Sequence, residues 1–159
     1  MNSWKLLLLI VLTLLVVSAC GEEDKTTKTK EIKIPDIEEY QSIYAQGVNE
    51  EGVGTDDTRK TITNQQTIHT FIEKVNLMEV IKPKSEEEAE NMKELDNQGN
   101  YIIALSKSKD INGKSYKMYF MKDGTVFFQD PVKSEMTYIS AQQNNALYEE
   151  VRELLDIQF

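Results

Sequence analysis

Cysteine occurs once in this chain of 159 residues, at position 20. A small extracellular domain stapled by disulfides needs an even number of cysteines. Whatever follows Cys20 must therefore be held by an ordinary apolar core. The residues beyond it offer no Cys-based metal site, no thiol nucleophile and no redox pair. What precedes it has the order of a secretory leader: a positive charge, an apolar run, then small residues. Lys5 supplies the charge, Leu6 to Val17 the apolar run broken only by Thr13, and Ser18-Ala19 the small residues. The run is twelve residues long, short of the ~20 that a helix needs to span a bilayer. A permanent transmembrane helix is the weaker reading.

Val17-Ser18-Ala19-Cys20 resembles the bacterial lipobox, a small-residue motif ending in a cysteine that becomes lipidated. The resemblance implies cleavage between Ala19 and Cys20 and a diacylglyceryl thioether on Cys20. The freed amino group can take a further acyl chain such as palmitate. One chain binds a membrane reversibly and two hold it stably, at ~0.8 kcal/mol per buried CH₂. The alternative is an ordinary signal peptide with an incidental cysteine. The expected organisation is a signal peptide over 1–19, a lipidated cysteine with a flexible tether over 20–30, and a single α+β domain over 31–159. The expected location is the extracytoplasmic face of the cell membrane. The motif serves both Gram-positive and Gram-negative envelopes, so the membrane itself stays open.

The chain carries a net charge of −9, and its leader contributes only Lys5 to the basic side. So acidic a body is repelled by nucleic acid and by anionic headgroups. No nucleic-acid partner is expected, and the body should stand off the membrane. Gly21 to Lys30 holds no apolar residue and has nothing to bury. Ten such residues reach roughly 15–20 Å.

Glu31-Ile32-Lys33-Ile34 alternates like a short strand, and Pro35 behind it favours an edge or a bend. Ile37 to Val48 has no clean period and is expected to be a strand. Asn49 to Asp57 is a Gly-containing acidic loop with Glu50, Glu51, Asp56 and Asp57. Four carboxylates suit a hard cation such as Ca²⁺, but the spacing matches no EF-hand. A solvated hairpin loop is the preferred reading. Arg59 to Ile62 is a strand candidate. Thr63 and Gln66 then form a capping box, opening a helix over roughly 64–79 whose stripe is Ile68, Phe71, Ile72, Val75 and Met78. Pro83 closes it. His69, the only histidine, lies beside that stripe with no partner suggested by its neighbours, and is read as a surface residue.

Lys82 to Asn100 is polar and acidic. Ser85 and Glu88 form a further capping box, with Ala89, Met92 and Leu95 along one edge of a short peripheral helix. The run Glu86 to Glu90 is read as a solvated face. Four strands follow: Tyr101–Leu105, Ser115–Met121, Thr125–Gln129 and Glu135–Ile139. Asn112-Gly113 and Asp123-Gly124 supply the φ > 0 positions of hairpin turns, the second as a two-residue turn. Ser140 and Gln143 are expected to cap a closing helix with the stripe Leu147, Val151, Leu154 and Leu155. The pattern Ile62 to Gln66 returns at Ile139 to Gln143. The meander is aromatic on both faces, with Tyr116, Phe120 and Phe128 against Tyr119 and Phe127. Either the two helices cover opposite faces, which is the preferred expectation, or one aromatic face is exposed for binding. The fold class is α+β: an antiparallel sheet, made of a four-stranded meander in the second half plus N-terminal strands, packed with two main helices.

This layout resembles the small YhfM-like lipoprotein domain of Gram-positive bacteria, over roughly Lys60 to Leu155. The residues that carry the resemblance are Ile62-Thr63-Asn64, Phe71-Ile72, Tyr116 to Met121, Asp123-Gly124 and Tyr138-Ile139-Ser140. The acidic stretch from Ser85 to Asn100 is longer than that family carries. The resemblance implies a cell-surface lipoprotein of undefined biochemical role and brings no active-site residues.

An enzyme is expected to show a nucleophile, base and orienter, or a metal cluster. The chain has no Gly-x-Ser-x-Gly and no His-Glu-x-x-His. The leading expectation is a non-catalytic binding or interaction domain without cofactor, held at the membrane through lipid on Cys20, with an envelope protein as partner. A small-ligand or Ca²⁺ receptor is the second reading, and a weak carboxylate-based hydrolase the third.

Overall fold

The computed structural model describes residues 28–83, 93–109, 115–129 and 136–159. Its strands are β1 (Lys30–Glu31), β2 (Ser42–Gly47), β3 (Arg59–Ile62), β4 (Glu79–Ile81), β5 (Tyr101–Ser106), β6 (Ser115–Phe120), β7 (Val126–Gln129) and β8 (Met136–Ser140). Among the described residues the two main helices are α1 (Gln65–Val75) and α2 (Asn145–Leu154), with a 3-10 turn at Ile37–Glu39. The strands form one sheet in the order β1-β4-β8-β7-β6-β5-β2-β3. Every neighbouring pair is antiparallel. The architecture is therefore α+β, an eight-stranded antiparallel sheet with two helices.

Alternation assigns the sheet faces. Ile43 faces Leu105 across β2 and β5, Ile103 faces Met118 across β5 and β6, and Phe128 faces Tyr138 across β7 and β8. These residues share one apolar cluster with Ile68, Phe71, Ile72 and Val75 of α1 and with Leu147, Tyr148 and Val151 of α2. Both helices thus lie on the same face, against the expectation that they cover opposite ones. The topology explains it: α1 leads into β4 and α2 leaves β8, and these two strands are neighbours. Inside the cluster the Tyr101 and Phe120 rings stack at 5.3 Å, and the Tyr101 hydroxyl donates to the Tyr148 carbonyl at 3.2 Å. The reverse face has its own smaller cluster. Tyr119, Met121 and Phe127 are buried there, packed with Leu95, Ile102, Met136 and Ile139.

Local chemistry moves several element ends from where the sequence placed them. The cap of α1 is Asn64 rather than Thr63: its Oδ1 accepts from the Thr67 amide at 3.0 Å, which satisfies an otherwise orphaned donor. The helix stops at Val75; of the expected last turn, Asn76 and Leu77 form a turn and Glu79 begins β4 instead. Asn76 is extended and Leu77 takes φ +65°. Met78 reaches the core from this extended chain and not from a helix face. Tertiary pairing of β4 with β8 and β1 overrides its helical spacing.

Ser140 likewise caps nothing. It ends β8, and its Oγ accepts from the Val126 amide at 3.1 Å. The cap of α2 is Asn144, which accepts from Leu147 N at 3.0 Å. The stretches Ile62–Gln66 and Ile139–Gln143 therefore play different roles. The turn at Asp123-Gly124 has three residues, not two. Met121 N donates to Thr125 O and Gly124 N to Met121 O, both at 2.9 Å, with Gly124 at φ +86°. That is a type I turn followed by a left-handed residue. The second turn, Asn112-Gly113, and the proposed helix cap at Ser85 with Ala89 and Met92 lie outside the described residues, as do Asp130 to Glu135.

The N-terminal segment has the largest role in shaping the site. Only Lys30 and Glu31 form ladder pairs, opposite Val80 and Glu79. The chain then stays zipped to the end of α1: Ile32 N donates to Met78 O, Leu77 N to Ile32 O, and Ile34 N to Asn76 Oδ1. Ile32 and Ile34 are buried in the helix-side core. Through Pro35, the 3-10 turn and the buried Tyr40, the chain crosses from the β1 edge to β2, which lies six strands further along the sheet. Asp36, at φ +52°, starts that turn, which explains why Ile37 to Val48 shows no single period.

Candidate functional site

The crossing segment leaves a groove of about 380 Å³ between itself and the ends of β6, β7 and β8. Its floor is aromatic, from Tyr116, Phe128 and Tyr138 on the helix side of the sheet, and the N-terminal segment contributes Lys30, Glu31, Lys33 and Pro35 to its lining. Phe128 and Tyr138 are a cross-strand pair, so both side chains project to the same face of the sheet. The Lys30 ammonium sits 3.6 Å from the centre of the Tyr138 ring, close enough for a cation–π attraction. The volume falls at the lower end of the range for small-ligand sites. Two lysines against one carboxylate, Glu31, leave the charged lining with one net positive charge beside an aromatic floor.

The acidic loop is organised differently from a cation site. Asn49 Oδ1 accepts from the Glu51 and Val53 amides at 3.0 and 2.9 Å, which folds the loop back on itself. Thr58 and the Gln46 side-chain amide close its other end. Asp56 is paired with Arg59. Among the described residues no three carboxylate, histidine or cysteine side chains converge on a point. His69 faces Glu38 at 3.7 Å and does not line the groove. Lys107 bridges Asp36 and Glu39 at 2.7 and 2.6 Å, and their hydrogen bonds raise its pKa. That bridge holds the 3-10 turn to the end of β5.

A second depression, of about 340 Å³, lies between Glu94–Asn100 and Met121–Asp123. Its buried amide is already used: Asn100 Oδ1 accepts from Lys122 N at 2.7 Å, and its Nδ2 donates to Glu94 O. This is a structural tie between two loops.

Ala19 and Cys20 lie outside the described residues, and among the described residues no helix is long and apolar enough to cross a membrane. Sequence reasoning did not find the groove, because Lys30, Lys33 and Tyr138 meet only when the chain crosses the sheet. The one signal available was Pro35 behind an alternating stretch, which marks a bend. Comparison with family models, with curated proteins and with solved structures finds no match to this chain.

Proposed function

We propose that this chain is a lipoprotein anchored through Cys20 on the extracytoplasmic face of the cell membrane, carrying a non-catalytic binding domain. The observation that carries the reading is Val17-Ser18-Ala19-Cys20 directly behind the apolar run Leu6–Val17, with the only cysteine of the chain in the modifiable position. The binding part rests on the groove beside the crossing segment, whose near wall is the chain that leads back to Cys20. The groove favours a small anionic ligand with a planar or apolar body over a bare cation. An envelope protein presenting such a group fits the same surface.

The test is a thermal-shift screen of residues 21–159 against aromatic and aliphatic carboxylates, phosphate esters, acidic peptides and Ca²⁺. A ligand at 100 times its Kd stabilises by about 2.7 kcal/mol, a readily measured rise in Tm. The expected result is a hit among the anions that Lys30→Ala and Tyr138→Ala both remove. A Ca²⁺ shift with none from anions would overturn the groove assignment and move the site to the acidic loop.

A further inference from the structure

We propose that residues 30–35 form a detachable strap. They lift from the edge of the sheet as a unit while the rest of the fold stays closed, and the groove holds its ligand only while they are docked. The inference rests on the groove reading above and adds its regulation. The strap supplies five of the ten residues that line the groove, and the aromatic floor supplies the facing wall. A ligand in the groove therefore touches both. With the strap lifted the floor has no facing wall, and the Lys30 ammonium leaves the Tyr138 ring that it now covers at 3.6 Å.

The strap is lightly held. Two ladder pairs join it to β4. Three further hydrogen bonds run from Ile32 N to Met78 O, from Leu77 N to Ile32 O and from Ile34 N to Asn76 Oδ1. β1 is the outermost strand of the sheet. Of the strap's side chains Ile32 and Ile34 are buried, and Lys30, Glu31, Lys33 and Pro35 are exposed. An edge segment with few buried apolar groups is where a native protein opens at least cost. The sheet beneath does not depend on it, because β4 keeps its own pairing to β8 through Val80 and Ile81.

The backbone marks where the lifting piece begins and ends. Leu77, whose amide donates to Ile32 O, holds φ +65°, a region that costs an L-residue energy. Lifting the strap removes that bond and frees Leu77 to leave the region. At the other end, Asp36 takes φ +52° where the strap meets the 3-10 turn. Beyond it the chain is pinned. Lys107 bridges Asp36 and Glu39 at 2.7 and 2.6 Å, Glu39 N donates to Asp36 O, and Gln41 N donates to Ser106 O. Tyr40 is buried in the core. The opening therefore stops at Asp36 and does not spread into β2.

The experiment is hydrogen exchange on the full chain in detergent micelles, read by mass spectrometry, with Cys20→Ser in every form so that no native thiol interferes. Without ligand, peptides covering 30–35 and 76–79 should exchange at least about a hundredfold faster than those of β5 and β6. Their rate should not respond to low urea, which marks a local opening. Glu31 and Glu79 face each other across the ladder, so a disulfide between Glu31→Cys and Glu79→Cys should abolish the fast exchange and its reduction should restore it. The probes are phenyl phosphate and benzoate, each at 100 times the Kd found by calorimetry. A bound probe should slow the strap's exchange about a hundredfold, because the lifted state does not bind. Strap exchange at the rate and urea dependence of β5 and β6 would overturn the opening. Fast exchange that a bound probe leaves unchanged would overturn the link to the groove. If neither probe binds, the groove reading falls and the link falls with it, while the ligand-free exchange still decides whether the strap opens.

Discussion

Replacing Gly124 with alanine tests how the hairpin and the last helix are joined. Gly124 holds φ +86°, and a Cβ built on it would stand 2.6 Å from the Asn144 carbonyl carbon and the Asn145 nitrogen. Those are backbone atoms of the α2 cap and first turn, so no side-chain rotation relieves the clash. The Gly124 carbonyl also accepts from Asn144 N at 2.9 Å. The left-handed backbone alone costs alanine about 1–2 kcal/mol. Forcing a methyl into packed structure adds about 1–3 kcal/mol, giving a loss of roughly 2–5 kcal/mol. Against a total stability of about 5–15 kcal/mol that is a large fraction, and Tm should fall by roughly 10 °C or more. Urea denaturation followed by far-UV circular dichroism measures it. Gly52→Ala is the internal control. Its φ is +74°, but its nearest neighbour would be the Asp96 carbonyl at 3.0 Å, a tight contact relieved by a shift of a few tenths of an ångström, so it should lose less than Gly124→Ala. If Gly124→Ala loses no more than Gly52→Ala, the turn does not press on the cap of α2 and the reasoning fails.

Two further predictions follow from the caps and the buried phenols. Asn64→Ala should cost about 1 kcal/mol while Thr63→Ala stays within about 0.5 kcal/mol, and chemical denaturation of both variants decides which residue caps α1. Burial pushes the phenol pKa values of Tyr40, Tyr101, Tyr119 and Tyr148 up from their ordinary value. The folded state therefore holds these protons more tightly than the unfolded chain. The stability this gives is complete below about pH 10, the unfolded value, and is lost as pH rises above it. Titration at 295 nm should show these tyrosines ionising together with unfolding, and independent ionisation in a still-folded protein would contradict their burial.

The strands of the second half were legible because alternation and turn dipeptides are local signals. Tyr101, Ile103 and Leu105 share a face in the sequence pattern and in the sheet alike. Strand β4 was not legible. Val75 and Met78 continue a helical period, and only pairing with β8 and β1 makes Glu79–Ile81 extended. The caps were displaced for a related reason. Thr63 and Ser140 have the right chemistry for a cap, yet Asn64 and Asn144 stand where the backbone turns. The side of the sheet each helix covers depends on strand order, which no local pattern encodes. The groove escaped for the same reason: its two walls, the Lys30–Pro35 segment and Tyr116 to Tyr138, are separated by about 80 residues of chain.

The anchor is tested most directly by growing cells that express the full chain with an alkyne-tagged fatty acid and determining the mass of the mature N-terminal peptide. The account predicts label on a chain that begins at Cys20, with the thiol blocked, and no label with Cys20→Ala. A mature chain with a free thiol at Cys20, or label that survives Cys20→Ala, would contradict it.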